Sequence, residues 1–274
     1  MNRITETVIL SVIQGLTEFL PVSSSAHLQI FKSLTRLAGC GLLLDTVLHA
    51  GTMCATLLVF RRQLYKIAVS LPQLFKNTEK KEYFQQSANK LVFFLLIATL
   101  PAAAVGITAG NFIEKNFENL YISAVGLFIT SLFLLSTLFK GHGLGLSSLT
   151  YRFPLLVGLM QALAICPGIS RSGATICTAL LLGSERSFAG EFSFLLSLPV
   201  IAGAFLLQIL KTPVTNLWVE MPFLLTAFTV SFISGWVSLS LLIPVVKKGK
   251  MHLFAFYTIP LGAALFIYLA VKGF

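Results

Sequence analysis

Charge is what this chain has least of: 11% of its 274 residues are charged, and only ten are acidic. Set against 56% hydrophobic residues and a mean hydropathy of +0.87, that scarcity excludes a water-soluble globular domain and reads as an integral membrane protein. Polar stretches long enough for a separate soluble domain are also missing, so residues 1–274 read as a single membrane domain. Cysteine is scarce too. Cys40, Cys54, Cys166 and Cys177 fall in apolar segments without C-x-x-C spacing, which signals neither a zinc site nor a disulfide framework and leaves them as small packing residues. No small-residue cleavage site follows the first apolar run, so the N-terminus is expected to be retained. The shortage of acid leaves a formal charge of +10. In a chain this apolar the excess base is expected at the membrane surface against anionic lipid head groups, and no nucleic-acid partner is expected.

What is present in abundance is hydrophobic sequence in membrane-length runs. Full spans are expected at 43–60, 91–110, 120–139, 192–210, 222–244 and 252–272, each bounded by charge, Gly or Pro. Two further apolar regions, 4–40 and 154–183, are interrupted near the middle by Pro, Ser and charge. Irregular backbone at membrane depth is tolerated only when buried in protein or lining a wet cavity, so both are expected to be re-entrant helical hairpins. The basic loops set the orientation. Residues 61–90 carry Arg61, Arg62, Lys66, Lys76, Lys80, Lys81 and Lys90, and Lys247, Lys248 and Lys250 follow the fifth span, so both loops are expected on the cytoplasmic side. The first hairpin then enters from outside and the second from inside. Each half, about 1–140 and 141–274, holds one hairpin and three spans. The expected fold is therefore all-α, with six transmembrane helices and two broken re-entrant hairpins in an inverted repeat.

The polar residues concentrate in the two breaks. The second reads QALAICPGISRSGATI, residues 161–176. An arginine at the bilayer centre costs about 3 kcal/mol on insertion scales, so Arg171 needs a cavity, a partner or an anion. Its neighbours favour an anion: Gly168 and Gly173 permit close backbone approach, Ser170, Ser172 and Thr175 carry hydroxyls, and a helix restarting near Gly173 aims free N–H groups at the same place. A guanidinium among such donors suits phosphate oxygens.

The first break reads QGLTEFLPVSSSAH, residues 14–27. Gln14 and Glu18, four apart, share a helix face and can hold a metal ion or orient a water. Pro21 ends that helix, and Ser23, Ser24, Ser25 and His27 follow. A serine and a histidine so close can act as nucleophile and base, or as a histidine nucleophile with a hydroxyl helper. Simpler readings exist for each residue: cap and kink for the serines and proline, and an ion bridge joining the halves for Glu18 and Arg171. Asp45 and His49 are read as hydrogen-bonded structure, residues 79–82 as a solvated loop, and Glu185, Arg186 and Glu191 as a salt-bridged rim or an entrance. The phenylalanines are read as packing and lipid-facing surface.

These two stretches resemble the motifs (E/Q)-G-x-T-E-F-L-P-(V/I)-S-S-(S/T)-x-H and P-G-x-S-R-S-x-x-T of the undecaprenyl-diphosphate phosphatase family linked to bacitracin resistance. The likeness extends to DTVLHAGT at 45 and EFSFLLSLP at 191 and covers essentially the whole chain. The resemblance implies hydrolysis of undecaprenyl diphosphate to undecaprenyl phosphate and inorganic phosphate, recycling the lipid carrier of peptidoglycan and cell-envelope synthesis. It implies Glu18 and Gln14 near a divalent cation, Mg2+ or Ca2+, Ser24 and His27 at the attack on phosphorus, and Arg171 on the diphosphate. It also implies a bacterial inner-membrane location with the site opening to the periplasm. Two positions depart from the usual pattern: Gln14 brings no charge to a metal site, and Ala26 stands where Gly is usual. The competing function is a transporter or flippase for an anionic or lipid-linked solute, because hairpins meeting at the midplane are also a transporter layout. Membrane lipids are expected partners, and a homo-oligomer is compatible with the sequence.

Overall fold

The structure, a computed structural model, describes residues 3–35, 42–70, 83–117, 119–138, 143–211 and 217–272. Cys40, Lys76, the loop charges at 79–82, Lys140 and residues 212–216 of the 211–221 connection lie outside the described residues. The described chain is helical: α1 Arg3–Phe19, α2 Ser24–Thr35, α3 Leu42–Val59, α4 Arg61–Ser70, α5 Tyr83–Phe117, α6 Leu120–Ser136, α7 Arg152–Leu163, α8 Arg171–Leu181, α9 Arg186–Lys211, α10 Leu217–Lys247 and α11 Ala255–Lys272. One isolated bridge, Leu144 to Ser184, is the β pairing found among the described residues.

Four helical stretches, 88–113, 186–208, 220–247 and 251–272, are long and apolar enough to cross a membrane. A fifth qualifies if α3 and α4, which meet at a 75° bend, are one span. Each of the six expected spans is a helix, but α6 is short at 17 residues and α3 reaches length only with its bent continuation.

Both hydrophobic regions expected to be broken are broken. Between α1 and α2, Pro21 offers no N–H to continue the helix. Ser23 takes φ 68, and its hydroxyl accepts from the Ala26 N–H at 3.4 Å, capping α2. Between α7 and α8 the chain turns through Pro167 and Gly168. Gly168 has φ 87, and a Cβ there would collide with the Ser123 carbonyl and approach Ser123 Cα to 2.8 Å, so α6 lies directly against this bend. Gly126 on α6 provides the other bare surface: a Cβ there would sit 2.5 Å from the Pro167 carbonyl.

The helix pairings are reciprocal between the halves. Helices α1 and α3 pack on α10, while α7 and α9 pack on α5, and α6 packs on α11. Small residues let the backbones approach, as expected where lipid removes the hydrophobic drive between helices. Gly15 and Gly51 face Ser231 to Gly235 of α10, and a Cβ on Gly158 would sit 2.5 Å from the Ala98 carbonyl of α5. The centre is aromatic. Phe194 meets Phe19 edge-on at 6.1 Å and Phe60 at 5.9 Å, and all three are buried.

Two cavities open among these helices, the smaller one lined in part by Phe60 and Phe194. The larger, about 350 Å³, is bounded by the two breaks, the first turns of α3 (Asp45, Thr46, His49) and the far part of α9 (Val200 to Gln208). The smaller, about 210 Å³, lies where α3 ends and α9 begins, with Gln63, Arg186, Glu191 and Lys247 on its walls.

Candidate active site

The larger cavity is where the two breaks meet. Gln14 and Glu18 are both buried on one face of α1. The Gln14 amide donates to Glu18 Oε2 at 3.0 Å. Ser24, at the first position of α2, donates its hydroxyl to the same oxygen at 2.9 Å. From the other break, Arg171 reaches across with Nη2 and donates to Glu18 Oε1 at 2.8 Å. Both carboxylate oxygens are thus occupied by groups from three elements. The ion pair between the two breaks and the polar side chains around Glu18, read from the sequence as alternatives, lie in one cluster.

The second break is held from α6. Thr130 donates its hydroxyl to the Gly168 carbonyl at 2.9 Å and accepts the Ser170 N–H at 2.8 Å. The Ser170 hydroxyl accepts from the Gly173 N–H at 3.1 Å and caps α8. Arg171 is therefore the first residue of a capped helix, its stem fixed before its guanidinium reaches Glu18. The two breaks also touch directly, because the Gly168 N–H donates to Ser25 Oγ at 3.3 Å.

Ser23, Ser24, Ser25, Glu18, Ser170 and Arg171 line the cavity. The other residues expected there do not. Thr175 is buried with its hydroxyl on the Arg171 carbonyl at 2.8 Å and near Ser193, and Ser172 turns to Ser170 at 3.2 Å. Gly168 and Gly173 shape the bend, Gly173 against Pro21.

His27 is the largest departure from the expected pairing. Its Nδ1 donates to the Ser23 carbonyl at 2.8 Å, its Nε2 accepts from the Tyr257 hydroxyl at 2.7 Å, and its ring stacks on that tyrosine with centroids 5.7 Å apart. Both nitrogens are engaged away from Ser24, because the ring folds back over the α2 cap towards α11.

The imidazole that does face the cluster is His49. Its Nδ1 lies 2.9 Å from the Gln14 amide nitrogen and 3.5 Å from Glu18 Oε2. Asp45, one turn earlier, lines the cavity while paired with Lys32. Reading both as structural from the sequence missed this position. Their i, i+4 spacing on an otherwise apolar helix was the available signal. Gln161 was also missed: it lines the cavity, is 2% exposed, and neither atom of its amide has a hydrogen-bond partner. Much of the remaining wall is apolar, from Ala164, Ile165, Val200, Ile201, Ala204 and Phe205, with Thr17, Thr46 and Gln208 beside them.

Residues 7–264 match the model of the family described as bacitracin resistance protein BacA. The chain belongs to the bacitracin resistance protein family. Relatives include proteins named undecaprenyl-diphosphatase from Korarchaeum cryptofilum, 36% identical over 96% of this chain and 98% of theirs, and from Methanobrevibacter smithii, 36% identical over 96% and 97%. Another from Desulforapulum autotrophicum is 37% identical over 91% and 92%. For a member of this family the question of a divalent cation turns on the donors present. Among the described residues no three His, Cys, Asp or Glu side chains form a metal cluster, but the buried Gln14 Oε1 beside Glu18 has no hydrogen-bond partner. One carboxylate and an orphan amide oxygen fit a cation that takes much of its coordination from substrate phosphates and water, as Mg2+ commonly does, and do not fit an all-protein cage.

Proposed function

We propose that this protein hydrolyses undecaprenyl diphosphate to undecaprenyl phosphate and inorganic phosphate in the cavity between the two helix breaks, with Ser24 as nucleophile. The observation that carries the reading is the Ser24 hydroxyl donated to Glu18, a carboxylate oriented from its other side by Arg171. Membership of a family with relatives named undecaprenyl-diphosphatase favours hydrolysis over transport.

The cavity suits a polar head on an isoprenoid tail. Arg171, Ser170, Ser23 and Gln161 face the diphosphate end, and the apolar wall from the turn after α7 and from α9 receives the first isoprene units. Arg171 stabilises charge growing on the phosphoryl oxygens and on the departing polyprenyl phosphate. Ser24 Oγ attacks the terminal phosphorus while its proton passes to Glu18. The bond to the bridging oxygen breaks, and undecaprenyl phosphate leaves with the electron pair. Water then attacks the phosphoserine, its proton passing through Glu18, and inorganic phosphate and free Ser24 return. Ser172 and Thr175 act by holding the α8 turn that carries Arg171. His27, held by Ser23 and Tyr257, fixes the cap of α2 in place of acting as base. A divalent cation, Mg2+ or Ca2+, held by Glu18 and Gln14 with the diphosphate, supplies charge neutralisation when bound.

For the architecture, reciprocal pairing of α1 with α10 and α7 with α5 supports an inverted repeat of two halves, with α1–α2 and α7–α8 as the re-entrant hairpins. If Arg61, Arg62 and Lys247 to Lys250 lie in the cytoplasm, the cavity residues on α3 and α9 occupy the opposite ends of their helices. The active site then opens to the outer face of the cell membrane.

The test is phosphate release by the purified full-length protein in detergent. Release is expected to fall at least about 10³-fold in Ser24→Ala and about 10²-fold in Arg171→Ala, and to fall on adding EDTA. Full activity in Ser24→Ala would remove the nucleophile assignment, and lipid flux without any phosphate release would remove the hydrolase reading.

A further inference from the structure

Three polar atoms converge on the inner side of this site. His49 Nδ1, the Gln14 amide nitrogen and Glu18 Oε2 form a triangle with edges of 2.9, 3.0 and 3.5 Å. As the amide stands, its N–H groups donate to the other two atoms. His49 Nδ1 therefore carries a lone pair and no proton on the face it turns to the cluster. The same arrangement strands Gln14 Oε1, buried and without a hydrogen-bond partner. A buried polar atom without a partner is destabilising, so its presence requires a reason.

A half-turn of the Gln14 amide supplies one. It exchanges Nε2 and Oε1, puts the orphan oxygen into the triangle, and leaves three lone-pair atoms facing one another: a carboxylate oxygen, an amide oxygen and an imidazole nitrogen. With the imidazole proton on Nε2, three such atoms repel one another, and a cation among them turns that repulsion into coordination. Octahedral coordination at about 2.1 Å places adjacent ligand atoms about 3.0 Å apart, close to the observed edges. Arg171 on Glu18 Oε1 fixes the carboxylate plane and leaves lone-pair capacity on Oε2, which Ser24 shares.

We propose that His49 is a protein ligand, through Nδ1, of the divalent cation at this site, completing one face of its coordination with Gln14 Oε1 and Glu18 Oε2. The inference rests on the cation reading above and deepens it. The Gln14 amide is a two-position element, a donor to Glu18 and His49 without the cation and a ligand with it. The opposite face of the ion remains for diphosphate oxygens and water. A nitrogen donor with a single carboxylate suits Mn2+ or Co2+ better than Ca2+, whose preference is for oxygen. This chain is expected to bind Mn2+ more tightly than Ca2+.

The test uses the full-length protein in detergent, titrated with Mn2+ alone and read by pulsed electron paramagnetic resonance, which detects nitrogen bonded to the ion independently of activity. The wild type is expected to bind one Mn2+ with a 14N coupling that changes to a 15N pattern when the histidines are 15N-labelled, a readout that needs no variant. His49→Gln is expected to lose the coupling and to weaken Mn2+ binding about tenfold or more, whereas His27→Gln retains the coupling. Mn2+ bound without nitrogen coupling, yet lost in Glu18→Gln, would overturn the role of His49 and leave the cation standing. No Mn2+ bound, with phosphate release undiminished by EDTA, would overturn the cation reading and this inference with it.

Discussion

Glu18 is a buried carboxylate with more partners than any other side chain in the site: Arg171 on one oxygen, and Gln14, Ser24 and His49 about the other. Removing one member of a buried charge pair costs about 3–5 kcal/mol, chiefly because the other charge is left stranded. Glu18→Gln is therefore expected to lose both thermal stability in detergent and phosphate release. In the double variant Glu18→Gln/Arg171→Gln, stability should return and activity should not. A double variant as unstable as the single would show that the ion pair is not what stabilises the junction. Gln161 behaves in the opposite sense. Its buried amide lacks a hydrogen-bond partner on the cavity wall, a cost that a diphosphate bound there would relieve. Gln161→Leu, similar in volume, is expected to raise stability by about 1 kcal/mol while raising KM about tenfold with little change in kcat. An unchanged KM would separate this residue from substrate binding.

At the scale of the element, the two breaks carry the design. Each needs one residue in the left-handed region, Ser23 at φ 68 in the first and Gly168 at φ 87 in the second, but their surroundings differ. Ser23→Gly relieves the left-handed backbone by about 1 kcal/mol while loss of the α2 cap to glycine costs only about a few tenths, so melting in detergent should rise slightly. Gly168→Ala has no such compensation, because its Cβ would meet the α6 backbone at Ser123. That variant is expected to lower the melting temperature by several degrees or more and to displace Arg171. Phosphate release should fall even in the fraction that folds. A Gly168→Ala protein of wild-type stability would mean that α6 moves away at no cost, contrary to the packing of Gly126 on the same bend.

At the scale of the whole molecule, the packing crosses between the first and second parts of the chain: α1 packs against α10, and α7 against α5. An inverted repeat places the exposed ends at Asn116 and Lys250 on opposite sides of the membrane. On a background with the native cysteines replaced, Asn116→Cys should react with a membrane-impermeant maleimide from outside the cell, and Lys250→Cys only in inverted vesicles. Labelling of both from one side would remove the inverted arrangement.

By itself the sequence determined the class of the protein, the positions of its helices and the location of the two breaks. Hydrophobic length and proline, serine and glycine chemistry are local properties that act within a few residues. The sequence also singled out Glu18, Ser24 and Arg171, because a charge or a reactive hydroxyl in a broken membrane segment needs a purpose. Only the tertiary structure decided which groups meet. His27 lies three residues from Ser24 yet is held by Ser23 and Tyr257, while His49, read from the sequence only as hydrogen-bonded structure, and Gln161, which no local pattern marked, reach the cavity. Spacing along a chain fixes which residues share a helix, but the direction of a side chain depends on the neighbours that compete for its polar atoms, and those come from α3, α7 and α11.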